Sequence, residues 1–214
     1  MSELWYKIVM SVTGVLIFFG IFLAWMILRK IEKRLEKKSL YPSMLLLGGL
    51  LTSAGFTWEV LSGEKMGTLV LSFILIGPAM IAYSLAHVGA EKITGRLMIQ
   101  STLTLLSLFF AGRYSTVTID IAYIGPFLAL LLLMNTQITI AGESHRNLLI
   151  TASWLLVLFS WTRYILDDTT GIVKALIVLP YVIAVVSWVA VLVITYFRLS
   201  SNYPTLHITG QESL

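Results

Sequence analysis

The side chains best able to do chemistry lie near one end of several apolar segments. They include arginine, which can hold a carboxylate or phosphate through a two-pronged hydrogen bond, and aromatic residues whose rings can pack alongside. The pattern predicts a polar-aromatic rim that binds a small charged ligand. The alternative is an interfacial belt, with aromatic rings at headgroup level and arginines paired with aspartates. The predicted rim consists of Trp58, Glu59, Arg113, Tyr114, Asp120, Arg163, Tyr164, Asp167 and Asp168.

Histidines and glutamates at the opposite end raise the hypothesis of a metal site. His87 and Glu91 are four residues apart and would share one helical face, while Glu143 and His145 lie in a later connection. Together they offer nitrogen and oxygen ligands for zinc or iron. The alternative is a helix cap at His87 and a solvated His145, since the sequence lacks a His-Glu-x-x-His motif. We therefore expect no bound metal and no cofactor.

Sequence signatures of catalysis are missing. The chain has no cysteine, which excludes disulfides, thiolate metal sites and cysteine nucleophiles. It also has no Gly-x-Ser-x-Gly motif and no Walker loop. The chain is therefore expected not to be an enzyme, and an intramembrane enzyme acting on lipid is the remaining catalytic alternative.

Neutral polar residues, and no ionisable ones, occupy the middle of the apolar segments. The lack of deep charges argues against a proton-relay pump or a voltage sensor. The neutral groups could line a solute path, or they could form hydrogen bonds between helices, each worth of order 1 kcal/mol. They are Gln100, Ser101, Thr102, Thr104, Asn135, Thr136, Gln137, Thr151 and Ser153.

The elements that must position these residues are apolar helices. Hydrophobic residues make up 57% of the chain and charged residues 12%, about half the charged fraction of an ordinary soluble domain. Seven runs approach or exceed the roughly 20 residues needed to cross a bilayer as a helix, and they are continuously apolar, unlike the alternating strands of a membrane barrel. The sequence predicts an all-α integral membrane domain over residues 1–198 and a short tail at 199–214. The predicted spans are 8–28, 41–61, 68–88, 97–114, 119–140, 148–166 and 172–197.

The basic residues predict the orientation of these spans. Ten of the 15 fall on one side of the alternating segments, six of them in the stretch 29–38. By the positive-inside bias this side is cytoplasmic, which puts the N-terminus outside and the C-terminus inside a cell membrane. The same stretch is expected to attract anionic lipid headgroups of the bilayer, so the net charge of +4 does not require nucleic acid as a partner.

An internal repeat organises the predicted spans into one leading helix and three helical hairpins. The second helix of each hairpin carries a proline, namely Pro78, Pro126 and Pro180, at separations of 48 and 54 residues. Equivalent prolines would kink equivalent helices. The alternative is chance similarity between apolar helices, but a true repeat would favour binding at the interfaces between hairpins.

These features predict a membrane-embedded binding or sensing module. The tail is too short to be a signalling domain, so such a module would act through a separate partner protein in the membrane or the cytoplasm. The alternative is a small-solute transporter or channel built from the hairpin repeats.

Overall fold

The described residues form helices, as the continuously apolar runs predict. The computed structural model describes residues 3–34, 39–62, 76–84, 95–111, 117–140, 143–162 and 169–200, and these ranges contain no strand. The prediction of an all-α chain is confirmed for them. The helices are α1 (Glu3–Arg34), α2 (Tyr41–Ser62), α3 (residues 76–84), α4 (Gly95–Ala111), α5 (Val117–Ile140), α6 (Glu143–Thr162) and α7 (Gly171–Ser200).

Each predicted span overlaps one of these helices, but several helices extend beyond it. Helix α1 begins five residues before its predicted span and ends six residues after it, and α6 begins five residues early. Helix α7 continues through Ser200, so the first two residues of the predicted tail are helical. The predicted spans end where charged residues begin. The backbone hydrogen bonds of a helix continue past the point where its side chains become polar.

Two of the described helices are long and apolar enough to cross a membrane, which suggests a membrane association. They are Leu4–Lys33 and Gly171–Ser200, whose most apolar stretches have mean hydropathies of 2.4 and 2.8. A shorter apolar segment, Gly125–Ile138, lies within α5.

Helices α1 and α7 lie side by side and run in the same direction. At their starts, the Nζ atom of Lys174 lies 4.5 Å from the ring centroid of Tyr6. At their ends, the Nζ atom of Lys30 lies 3.7 Å from the ring centroid of Tyr196 and donates a hydrogen bond to Ser200. Parallel first and last helices are what an alternating bundle of seven helices requires.

Neighbouring helices along the chain alternate in direction. The guanidinium of Arg29 donates to Ser43 Oγ at 2.7 Å, which joins the end of α1 to the start of α2. Ser84 Oγ donates to the carbonyl of Tyr41 at 2.6 Å, which brings the end of α3 to the same place. We call this end of the bundle, which also carries Arg96 at the start of α4, the basic end.

Glycines let several of these helices approach closely. A Cβ atom on Gly77 would lie 2.6 Å from the carbonyl oxygen of Gly48 and 2.8 Å from the backbone nitrogen of Thr52, so α2 and α3 touch backbone to backbone. A Cβ atom on Gly20 would lie 2.7 Å from Cη2 of Trp188, so the indole of α7 packs directly on α1. Small residues at such crossings are typical of helices that associate in lipid.

Candidate functional site

Two adjoining cavities lie between α1, α2, α5 and α7. The first, which we call the central cavity, has a volume of about 40 Å³ and also touches α3. The second, the Gln137 cavity, also has a volume of about 40 Å³ and lies nearer the basic end. Leu133 lines both cavities, so its side chain lies between them.

The central cavity is walled mainly by aliphatic and aromatic side chains. Its polar lining consists of Thr52, Ser53 and Tyr181, and no charged side chain lines it. Thr52 donates its hydroxyl hydrogen to the carbonyl of Gly48 at 2.8 Å. The hydroxyl of Ser53 is buried and has no hydrogen-bond partner in the described part of the chain. This cavity therefore suits an apolar group.

One of the predicted prolines, Pro126, borders the central cavity, and Pro180 has the equivalent position in α7. Pro126 stands nine residues after the start of α5, and Pro180 stands nine residues after the start of α7. The residues that follow them meet, since the rings of Phe127 and Tyr181 lie 6.2 Å apart edge to face. Phe159 of α6 stacks on Tyr181 at 4.7 Å. Pro180 itself and Pro78 of α3 are not among the residues that line this cavity.

The Gln137 cavity contains buried polar atoms without protein partners. Gln137 is 6% exposed, and neither Oε1 nor Nε2 of its amide has a hydrogen-bond partner among the described residues. The indole of Trp188 is fully buried, and its Nε1 lacks a partner in the same part of the chain. Leaving such a group unpaired costs about 1–3 kcal/mol. A site that carries this cost is a candidate for binding.

A neighbouring group of buried amides is fully bonded instead. Asn135 Nδ2 donates to Gln100 Oε1 at 2.9 Å, and Gln100 Nε2 donates to Ser153 Oγ at 2.7 Å. Arg96 Nε donates to Asn135 Oδ1 at 3.0 Å. These bonds connect α4, α5 and α6, and we call the four residues the amide network. In this network the neutral polar residues join helices rather than line a solute path.

Arg96 brings a positive charge to the edge of the amide network. Partial burial lowers the pKa of its guanidinium, and the nearby charge of Arg146 lowers that pKa further. Arginine nevertheless stays protonated in proteins. The hydrogen bond to Asn135 is therefore charge-assisted, which makes it stronger than a bond between neutral groups.

The predicted polar-aromatic rim lies outside the residues whose side chains are described. The backbones of Trp58 and Glu59 belong to the last turns of α2, and that of Asp120 to the first turn of α5. The rim therefore stays a prediction. Those wholly outside the described ranges are Arg113, Tyr114, Arg163, Tyr164, Asp167 and Asp168.

The weak metal candidates are only partly within the described chain. His87 and Glu91 fall outside it, and the side chain of Glu143 is not described. His145 lies in the first turn of α6. The described residues contain no group of three or more histidine, cysteine, aspartate or glutamate side chains able to hold a metal ion.

The stretch predicted to meet anionic headgroups is partly engaged with the protein. Arg29 bonds to Ser43 and forms an ion pair with Glu32 at 3.4 Å, while Lys30 reaches Tyr196 and Ser200. Lys33 is exposed, and the remaining basic side chains of the stretch lie outside the described part. Contact with headgroups stays a prediction.

Comparisons with protein-family models, curated proteins and solved structures find no match for this chain. Its function must therefore be argued from the chemistry of its own residues. Sequence reasoning marked Gln137 as a neutral polar position but did not single out Ser53, Tyr181 or Trp188. A usable signal existed for Trp188, because tryptophan in a membrane helix usually lies near an interface, whereas this one lies well inside an apolar run.

Proposed function

We propose that this chain is a seven-span helical membrane protein whose bundle binds a small, uncharged, lipid-soluble molecule, and that it acts as a binding or sensing module. The observation that carries this proposal is the pair of adjoining cavities between α1, α2, α5 and α7, whose lining includes no charged side chain. Binding sites between helices of a bundle are common places for such ligands.

The distribution of polar and apolar side chains supports a lipid environment. Between Lys174 and Arg198, α7 has 23 residues without a charge, which span about 34 Å of helix, close to the thickness of a bilayer core. The outward face of this helix is apolar along its length, while Gln100, Asn135 and Ser153 are buried inside the bundle. A water-soluble protein rarely exposes so much apolar surface. The exposed large apolar side chains of α7 are Ile172, Val173, Leu176, Leu179, Ile183, Val186, Ile194 and Phe197.

The proposed topology predicts a definite pattern of cysteine labelling. Because the chain has no cysteine, a single introduced thiol reports without background. In intact cells a membrane-impermeant maleimide should label Leu4→Cys but not Lys33→Cys or Arg146→Cys, and all three should react after lysis. The positions are suitable because Leu4, Lys33 and Arg146 are exposed. Equal labelling of all three before lysis would contradict the topology.

The binding proposal predicts that a compound co-purifies with the protein and is displaced by filling the cavities. Leu133→Trp places a bulky ring where the two cavities meet. Mass spectrometry of solvent extracts should find an uncharged lipid-soluble compound in the wild type and at least a tenfold smaller amount in this variant. The matched control is Leu158→Trp on the exposed face of α6, which should keep the compound.

Size-exclusion chromatography must first show that both tryptophan variants are folded. If both variants carry the same compounds in the same amounts as the wild type, the cavities are not the binding site. If the extracts contain bulk phospholipid alone, the wild-type cavities have no specific occupant and the proposal is wrong.

A further inference from the structure

We infer that the Gln137 cavity binds the polar group of the ligand, and that this group is an uncharged carbonyl with a neighbouring N–H or O–H, as in a carboxamide. This inference rests on the proposed function, because it takes the adjoining cavities as one binding site. It adds the chemical class of the ligand and the direction in which the ligand lies.

The inventory of unpaired atoms determines the complementary group. The Gln137 amide offers two N–H donors at Nε2 and one acceptor at Oε1, and the Trp188 indole offers one N–H donor at Nε1. All of these atoms are buried without a partner among the described residues. The three unpaired N–H donors need an acceptor, and a carbonyl oxygen with two lone pairs can accept from two of them. An N–H or O–H beside that carbonyl would pair with Oε1.

The other polar side chains of this cavity have already used their hydrogens. Thr136 donates its hydroxyl hydrogen to the carbonyl of Leu132 at 2.8 Å, and Thr195 donates to the carbonyl of Val191 at 2.8 Å. The remaining lining is aliphatic apart from Gln137 and Trp188. The two threonine oxygens can still accept, but among the described lining residues the unpaired N–H donors belong to Gln137 and Trp188.

The charge of the ligand follows from the lining. No cationic or anionic side chain lines either cavity, so an ionised ligand would be buried without a counter-charge. Such burial is far more costly than burial of a hydrogen-bonded neutral group. A fatty amide fits this environment, and the corresponding carboxylate does not.

The apolar part of the ligand extends toward the central cavity. Leu133 lies at the junction, and beyond it the walls include Ile17, Ile21, Ile81 and Leu130. A molecule with its carbonyl at Gln137 would therefore place its apolar chain among aliphatic side chains. This arrangement buries the chain and pairs the polar group at the same time.

Two features of the surrounding bundle bear on the unpaired atoms of Gln137 and Trp188. Two residues before Gln137 on the same helix, Asn135 has partners for both of its amide atoms. The indole of Trp188 is fixed against α1 by its close contact with Gly20. The bundle thus satisfies one buried amide completely and leaves another, and an indole, unpaired among the residues that line a cavity.

The inference is tested with matched twelve-carbon probes on the full-length protein in lipid nanodiscs. The probes are dodecanamide, 2-dodecanone, dodecane and dodecanoate at pH 8. The readout is the fluorescence emission of Trp188. It is obtained by subtracting the emission of Trp188→Phe from that of the wild type, because five other tryptophans contribute to the total signal. Dodecanamide should give a saturable change. The ketone should bind about tenfold more weakly because it lacks a donor for Gln137 Oε1, and dodecane and dodecanoate should give none.

Substitution separates this inference from the proposed function. Gln137→Leu should weaken dodecanamide binding by about ten- to a hundredfold, while the matched control Thr151→Val, on the exposed face of α6, should not change it. Equal binding of amide and alkane, or an unchanged affinity in Gln137→Leu, would overturn the carbonyl assignment. If the wild type carries a co-purifying compound and Leu133→Trp does not, the proposed function is still supported. If Leu133→Trp carries as much of the compound as the wild type does, the proposed function is contradicted.

Discussion

Asn135→Leu should lower the free energy of unfolding by about 3 kcal/mol, because it breaks the centre of the amide network. Asn135 accepts from Arg96 and donates to Gln100 Oε1 and to the carbonyl of Leu131. Leucine has a similar size but offers none of these bonds. The loss exceeds that of an average hydrogen bond between membrane helices, about 0.6 kcal/mol, because a partly buried guanidinium and a fully buried amide oxygen both lose their partner.

Scanning fluorimetry of the purified protein in lipid nanodiscs measures this effect. The matched control is Thr151→Val, which removes an exposed hydroxyl bonded at 3.0 Å to the carbonyl of Asn147 within its own helix. Exposed changes of this kind alter stability by about 0.5 kcal/mol or less. A melting temperature of Asn135→Leu equal to that of the control would show that the network contributes little to stability.

A double-mutant cycle tests whether the network acts as a unit. Gln100→Leu alone removes one hydrogen bond from Asn135 Nδ2 and one from Ser153 Oγ, which keep their bonds to the carbonyls of Leu131 and Ile150. Once Asn135 has been replaced, Gln100 Oε1 has already lost its donor, so the second substitution should cost less than it does alone. The double variant should therefore lose less free energy of unfolding than the sum of the losses in the two single variants. Strictly additive losses would contradict the connected arrangement.

The helices could be predicted from the sequence because each corresponds to one continuous apolar run. The match is closest at α2, which begins at the predicted Tyr41, and less close at α1, whose charged ends continue the helix. The sequence also indicated that Gln100, Asn135 and Ser153 would either form hydrogen bonds between helices or line a solute path. It could not decide between these alternatives, since the bonded partners are 35 and 53 residues apart along the chain.

The cavities could not be predicted, because they form between helices that are distant in the sequence. Leu133 of α5 faces side chains of α1, α2 and α7 across them. No local pattern indicates that Asn135 is bonded and that Gln137, two residues later, is not. The prolines were a partial guide: Pro126 and Pro180 each stand nine residues after the start of their helix, and the residues after them meet beside the central cavity. The hairpin repeat itself stays a prediction.

Gln137→Leu should raise the free energy of unfolding by about 1–3 kcal/mol, a change opposite in sign to that at Asn135. Gln137 makes no hydrogen bond within the described chain, so the substitution removes an unpaired buried amide and loses no bond to the protein. Leucine is of similar size and matches the aliphatic lining of the cavity. The same nanodisc melting experiment, without added probe, measures the difference.

The sign of this change separates a ligand site from a structural water site. If Gln137→Leu lowers the melting temperature, the amide has a partner that stabilises the protein without ligand, such as a bound water, and the carbonyl inference loses its basis. If the variant is more stable and no longer binds dodecanamide, the wild type retains an amide that costs stability and serves binding. Saturating dodecanamide should then raise the melting temperature of the wild type but not of Gln137→Leu, because only a ligand that binds the folded state stabilises it. Natural proteins commonly give up stability at functional sites in this way.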